Sequence, residues 1–112
     1  MKKSQKLVAE LFLAYQPVLE ALSSPLRQKI MFALAEASAS GKPMSVHELT
    51  EQTTLARPTI SHYIKILHTA GLIEPKKIGT QIFYRPKFET PLMMSKEFTQ
   101  VLEAMIKNKG DN

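Results

Sequence analysis

The chain has 112 residues, which is the size of one small domain with a single hydrophobic core. Hydrophobic residues make up 44% of it, so it is not a disordered chain. It contains no cysteine, which excludes disulfides, thiolate metal sites and cysteine nucleophiles. The longest apolar run, residues 30–35, is far shorter than the roughly 20 residues that cross a bilayer, and no signal-peptide core is present. We therefore expect a cytoplasmic protein that does not contact membranes.

The positive charge is concentrated in one segment. The net charge of the whole chain is +5, and residues 55–88 contain six basic residues but only one acid, Glu74. This third of the sequence therefore holds the entire excess. Such a segment suits the phosphate backbone of a nucleic acid, although a solvated basic surface would have the same charge.

Both ends of the chain have the pattern of an amphipathic helix. Apolar residues recur at helical spacing in residues 4–16, Pro17 interrupts or restarts the helix, and the first helical segment ends near Leu22. A last helix is predicted after Pro91, over residues 91–107, followed by a polar tail. A small core does not need both apolar stripes. We therefore expect these helices to pack against a second copy in a two-fold dimer, although they could instead close the core of one monomer.

The middle of the chain predicts a helix-turn-helix. Ser24 and Pro25 are typical of a helix start, and this helix ends near residues 38–41. A capping box at Ser45 and Glu48 opens a short helix, and residues 53–56 connect it to another helix over residues 57–70. Gly71 is a predicted left-handed C-cap. The helical core therefore spans residues 24–71, with the helix-turn-helix at 45–70.

The periodicity changes after Gly71. Residues 72–78 and 81–85 are rich in β-branched and aromatic residues, Gly79 and Thr80 lie between them, and Pro86 ends the second strand. A hairpin is therefore predicted at 72–86. The expected fold is mainly α with a small antiparallel β-hairpin: a single winged helix-turn-helix domain over residues 1–112, with dimerisation helices at both termini.

The helix over residues 57–70 has one apolar side and one polar or cationic side. At 100° per residue, one side collects the apolar and aromatic residues Ile60, Tyr63, Ile64 and Leu67, and the opposite side has no acid. The second helix of a helix-turn-helix fits the DNA major groove, and a dimer would read an imperfect palindrome with half-sites about 34 Å apart. The predicted DNA contacts from this helix and from the hairpin are Arg57, Thr59, Ser61, His62, Lys65, Lys76, Lys77, Thr80 and Gln81.

No other pattern predicts a site. His62 and His68 are about 240° apart on one helix, and His47 is on another helix, so a histidine metal site is not expected. The six methionines could hold copper(I), but such residues are more often packing surface. The sequence has no paired carboxylates, phosphate-binding glycine loop or nucleophile motif. We expect no metal, no cofactor and no enzymatic activity.

Several motifs resemble the ArsR-type (arsenic-repressor-like) bacterial transcriptional regulators. Residues 22–31, LSSPLRQKIM, resemble that family's opening helix motif, and residues 56–67, ARPTISHYIKIL, resemble its recognition helix. Residues 70–73, AGLI, resemble the exit of that helix, and residues 79–85, GTQIFYR, resemble the wing. The resemblance covers about residues 17–88. It implies a dimeric repressor that binds an operator–promoter and releases it when an inducer binds.

The sequence also departs from that family. Ser45, Val46 and His47 stand where many members have Cys-Val-Cys, and no histidine follows His68, so neither family metal site is expected. The cysteine pair of sulfur-sensing members is absent too. Ala56 replaces the serine often found at the recognition-helix cap. Two alternatives stay open: a winged-helix module that binds an acidic protein partner, and a DNA-binding protein with a non-thiol effector site.

Overall fold

A computed structural model describes residues 2–108, which form six helices and one three-stranded sheet. In chain order the elements are α1 (Lys3–Ala14), α2 (Gln16–Leu22), α3 (Pro25–Ala39), β1 (Met44–Ser45), α4 (Val46–Thr53), α5 (Arg57–Thr69), β2 (Ile73–Ile78), β3 (Gln81–Pro86) and α6 (Glu89–Asn108). The predicted class, mainly α with a small antiparallel sheet, is confirmed. Of the predicted polar tail, residues 107–112, the first two belong to the last helix, and residues 109–112 lie outside the described residues.

The core lies where α3, α4 and α5 meet. Ile30 and Leu34 of α3 are buried there together with Leu49 of α4. Burial of each such side chain stabilises the fold by about 1.5–3 kcal/mol. From α5, the buried residues are Ile60, Ile64 and Leu67, whereas Tyr63, which the helical wheel placed on the same side, is half-buried. Because this side of α5 is buried, its opposite side faces solvent.

Side chains cap the helices that lead to α5. The Arg27 amide donates to Ser24 Oγ at 3.3 Å at the start of α3. At the start of α4, the Glu48 amide donates to Ser45 Oγ at 3.1 Å, and the Ser45 amide donates to Glu48 Oε1 at 3.1 Å. Both predicted caps are confirmed. Ala56 is the N-cap residue of α5 and makes no side-chain cap, as its methyl group requires.

The turn between α4 and α5 is held by a buried threonine. Thr53 Oγ1 donates to the Leu49 carbonyl at 2.6 Å and accepts from the Leu55 amide at 3.3 Å. The next residue, Thr54, has a φ of 60° and ends α4 in the left-handed conformation. Thr53 thus connects the last turn of α4 to the residues that begin α5.

The end of α5 is a Schellman motif, as predicted. Gly71 has a φ of 77°. Its amide donates to the His68 carbonyl at 3.0 Å, and the Leu72 amide donates to the Leu67 carbonyl at 3.0 Å. This stop leads the chain directly into β2.

The sheet has the strand order β1-β3-β2, with both pairings antiparallel. Strands β2 and β3 form the predicted hairpin, here called the wing. Gly79 has a φ of 63° at the first position of the two-residue turn, as a type II′ turn requires. Strand β1 was not predicted, because two residues are too short to show an alternating pattern.

Two helix boundaries differ from the sequence prediction in detail. The first segment is two helices that meet at Tyr15, with Pro17 in the first turn of α2, where its missing amide costs no helical hydrogen bond. Helix α6 begins at Glu89 rather than after Pro91. A proline is tolerated in the first turn for the same reason.

Helices α1 and α6 pack side by side in a structure that we call the arm. Phe12 and Phe98 meet edge to face at 5.2 Å between ring centroids, and the Tyr15 hydroxyl donates to Glu97 Oε1 at 2.9 Å. Partial burial, and then the hydrogen bond and negative charge of Glu97, raise the pKa of Tyr15 above 10.0. Tyr15 and Met94 both pack on the core, so α1 runs toward the body and α6 runs away from it.

The arm makes the molecule elongated. Its extents are 59 × 25 × 21 Å and its radius of gyration is 17.4 Å, against about 13 Å for a compact chain of this length. Among the described residues, no helix combines the length and apolar character needed to span a bilayer.

We predict that Thr53→Val lowers the free energy of unfolding by about 1–2 kcal/mol, because the half-buried Leu55 amide loses its acceptor and the buried Leu49 carbonyl loses its side-chain donor. Urea unfolding measures the change. The matched control is Thr50→Val, since Thr50 Oγ1 donates to the His47 carbonyl at the surface of the same helix. Equal effects of the two substitutions would contradict the role of Thr53.

Candidate nucleic-acid interface

The outward side of α5 presents most of the residues predicted to bind DNA. Arg57, Ser61, His62 and Lys65 are exposed, whereas Thr59 is half-buried. The helix carries no acidic residue, so nothing on it opposes a negative ligand. The N-terminus of α5 adds a partial positive charge beside Arg57.

A groove of about 800 Å³ separates the start of α5 from the wing. It brings Arg57 together with Thr80 and Gln81, three residues that were predicted as contacts from two different elements. The start of α4 closes its other side. The full lining is Ser45, Val46, His47, Glu48, Arg57, Thr80, Gln81, Ile82, Phe83 and Tyr84.

A second groove, of about 580 Å³, lies between α2 and the later turns of α5. His62 and Lys65 line this α2–α5 groove, together with Pro17, Glu20, Ala21, Arg27, Ile66, Thr69 and Ala70. Arg57 therefore lines one groove and His62 and Lys65 line the other, whereas Thr59 and Ser61 line neither. The exposed edge of α5 is a ridge between them, which is the shape needed to fit into a groove of a partner.

Arg27 holds α2 against α5, a role that sequence reasoning missed. Its Nε donates to the Ala21 carbonyl at 2.7 Å and its Nη2 donates to the Glu20 carbonyl at 2.9 Å. Its guanidinium also lies 5.3 Å from the ring centroid of Tyr63 on α5. One arginine thus caps the C-terminal end of α2 and contacts the recognition helix predicted from the sequence.

The strand register separates the two lysines of the wing. Lys76 pairs with Phe83 and Lys77 pairs with Ile82. Consecutive residues of a strand point to opposite faces, so Lys76 and Lys77 lie on different faces of the ribbon. The wing therefore carries positive charge on both faces.

An ion pair neutralises the base of the wing. Glu74 and Arg85 are directly opposite each other, and Arg85 Nε donates to Glu74 Oε1 at 2.8 Å. Both side chains are substantially exposed, so the pair contributes at most about 1 kcal/mol to stability. The ion pair matters more for the charge of the ribbon than for stability. The one acid of residues 55–88 is paired with Arg85, which leaves the charges of Lys76 and Lys77 near the turn without a neighbouring acid on the ribbon.

The histidines lie apart from one another. His47 Nε2 lies 2.8 Å from Glu51 Oε1 along α4, whereas His62 lines the α2–α5 groove. Within residues 2–108, no three side chains among histidine, cysteine, aspartate and glutamate come together as a metal site.

Comparison with known proteins agrees with this geometry. Residues 24–74 match the family model described as "Bacterial regulatory protein, arsR family". The transcriptional repressor SdpR of Bacillus subtilis is 31% identical over 95 residues, which cover 85% of this chain and 94% of SdpR. The chain therefore belongs to the ArsR family, and the resemblance seen in the sequence is confirmed.

Two further comparisons define how far the similarity extends. The HTH-type transcriptional repressor SmtB of Mycobacterium tuberculosis is 32% identical over 68 residues, which cover 61% of this chain and 47% of SmtB. The chain thus spans about half the length of that relative. The solution structure of a homodimeric winged helix-turn-helix DNA-binding domain, Mb0332 from Mycobacterium bovis, aligns with a TM-score of 0.62 at 19% identity, over 97% of this chain and 93% of that chain. This alignment confirms the winged helix-turn-helix fold.

Proposed function

We propose that this protein is a sequence-specific regulator of transcription that binds double-stranded DNA as a homodimer and acts as a repressor of an operator–promoter. The observation that carries the proposal is the acid-free, exposed ridge of α5 beside a wing with lysines on both faces. A duplex offers a groove for the ridge and phosphates for the lysines. The names of SmtB and SdpR, both transcriptional repressors, support repression as the direction of control.

Helix α5 enters the major groove in this proposal. Ser61 and His62 are exposed and have short side chains, so they suit contacts to base edges. Arg57 and Lys65 are long enough to reach phosphates or the acceptors of guanine. Thr59, which is half-buried, contributes to the edge of this contact.

The wing contacts DNA beside α5. Thr80 and Gln81 line the same groove as Arg57, so the turn and the start of α5 face one segment of duplex. Lys76 and Lys77 reach phosphates from the two faces of the ribbon. These charges position the protein on the duplex, and the α5 contacts supply sequence preference.

The arm forms the dimer interface. Its exposed large apolar residues are Leu7, Phe12, Leu13, Leu92, Met93, Leu102 and Ile106. An apolar surface of this kind marks an interaction site, and the homodimeric state of the Mb0332 domain supports a second copy as the partner. A two-fold pair would place its α5 helices one DNA turn apart, about 34 Å, on an imperfect palindrome.

The competing function, a winged-helix module for an acidic protein partner, is not favoured. The same basic ridge would serve it, but the relatives are named as regulators of transcription. Binding to an operator also requires a cytoplasmic location with the chromosome. An effector is compatible with the proposal but is not part of it.

We predict that Lys76→Gln combined with Lys77→Gln weakens binding to every duplex sequence. The plot of log affinity against log salt concentration should become shallower by about 0.9 for each lost phosphate contact. Fluorescence anisotropy with labelled duplex over a range of salt concentrations measures both. The matched control is Lys107→Gln, which removes an exposed lysine near the outer end of α6.

The variant Ser61→Ala should instead change the preference among operator sequences and leave the salt dependence in place. An unchanged salt dependence in the double lysine variant would rule out the proposed wing contacts. Absence of duplex binding by the unaltered protein would rule out the function itself.

We predict that Leu13→Glu combined with Ile106→Glu dissociates the dimer. These residues are 77% and 74% exposed in the single chain, and truncating a central interface residue costs about 2 kcal/mol or more. The dimer dissociation constant should therefore rise by at least about thirtyfold. Sedimentation equilibrium measures it.

The control for the arm is Phe32→Glu. Phe32 is 74% exposed but belongs to α3, outside the arm. This substitution should leave the dimer intact. A dimer that survives the arm substitutions but is lost in Phe32→Glu would place the interface on the body.

A further inference from the structure

The tip of the wing carries two exposed isoleucines. Ile78 is 48% exposed and Ile82 is 50% exposed, on either side of the Gly79–Thr80 turn. The other residues near the tip are polar or cationic. Neither isoleucine is among the residues that form or pack against the core, so burial in the core does not account for their apolar character.

The register places one isoleucine and one lysine on each face of the ribbon. Ile82 is opposite Lys77 on one face, and Ile78 follows Lys76 by two residues on the other. The isoleucines lie close to the turn. The backbone of Lys77 is level with Ile82, and that of Lys76 lies farther from the turn than Ile78 does. The long side chains of both lysines extend outward. Each face therefore carries one isoleucine near the tip and one lysine beside it, and Gln81 lies opposite Ile78.

This arrangement is complementary to the minor groove of a duplex. The rims of that groove carry phosphates, and proteins that bind there combine cations with apolar wedges, isoleucine included. If the wing tip goes in first, each isoleucine faces one wall and each lysine reaches a rim. A small polar turn with lysines alone would suffice for backbone contact, so the two isoleucines indicate a deeper position.

The dimensions decide what such binding does to the DNA. A sheet with side chains on both faces occupies a layer about 10 Å thick, whereas the minor groove of B-DNA is about 6 Å wide. The wing tip therefore fits only if the groove widens and the duplex bends. The cost of that deformation depends on sequence: pyrimidine–purine steps deform easily, and A-tracts are stiff and narrow.

We propose that Ile78 and Ile82 wedge the minor groove open beside the major-groove site, so that the protein selects deformable pyrimidine–purine steps in sequences that α5 does not contact. This inference rests on the proposed function. It adds a second source of specificity, read through the shape of the duplex rather than through base-edge hydrogen bonds.

The test is selection of bound duplexes from a random-sequence library. We would compare the unaltered protein with Ile78→Thr combined with Ile82→Thr, which keeps β-branched residues in the strands but adds hydroxyl groups. Ile78→Val combined with Ile82→Val is the matched control, because it keeps both positions apolar. The single threonine variants give the same comparison one face at a time if the double variant does not fold.

The unaltered protein and the valine variant should enrich TA and CA steps beside a central motif. The threonine variant should recover the same central motif, with the flanking enrichment reduced about threefold or more. Fluorescence energy transfer between the ends of the selected duplex should show a smaller bend with this variant. The same flanks and bend for all proteins, or a preference of the unaltered protein for A-tracts, would overturn the inference. Recovery of no motif at all by the unaltered protein would instead overturn the proposed function and this inference with it.

Discussion

Burial of one side of α5 is the constraint on which the rest of this structure depends. Ile60, Ile64 and Leu67 occupy the core between α3 and α4, and rotating the helix would expose them at a cost of several kcal/mol in total. The orientation of the opposite side is therefore fixed by the core. The surface proposed to bind DNA is thus a consequence of packing, and it needs no ligand to form.

The two ends of α5 then fix its position along its own helix axis, because they set how the chain enters it from α4 and how it leaves into β2. Thr53 and the left-handed Thr54 determine how the chain enters α5, and Gly71 turns the chain from its last residues into β2. The wing consequently starts at a defined point relative to the ridge. Arg27 adds a contact from the side, since it joins the C-terminal end of α2 to Tyr63.

Much of this architecture could be predicted from the sequence, because it depends on interactions between residues that are close together in the chain. Capping residues, the spacing of apolar residues on α5 and the glycines at 71 and 79 each specify a backbone feature within a few positions. Features made by distant residues could not be read in this way. The pairing of β1 with β3, the contact of Arg27 with Tyr63 and the ion pair between Glu74 and Arg85 depend on which segments the fold brings together. The same holds for the position of Arg57 in one groove and of His62 and Lys65 in another. The opposite faces of Lys76 and Lys77, by contrast, follow from the strand periodicity once the hairpin is accepted.

The measurement that tests the central claim most directly is a titration of the ¹⁵N-labelled protein with a selected operator duplex, followed by amide chemical shifts. The account predicts that the largest changes occur along the ridge of α5, at residues 57–65, and at the wing tip, at residues 76–82. Changes in the arm should be small, because we propose that a second copy covers that surface. Perturbations concentrated on α3 around Phe32 or on the arm, with α5 and the wing unaffected, would contradict the account.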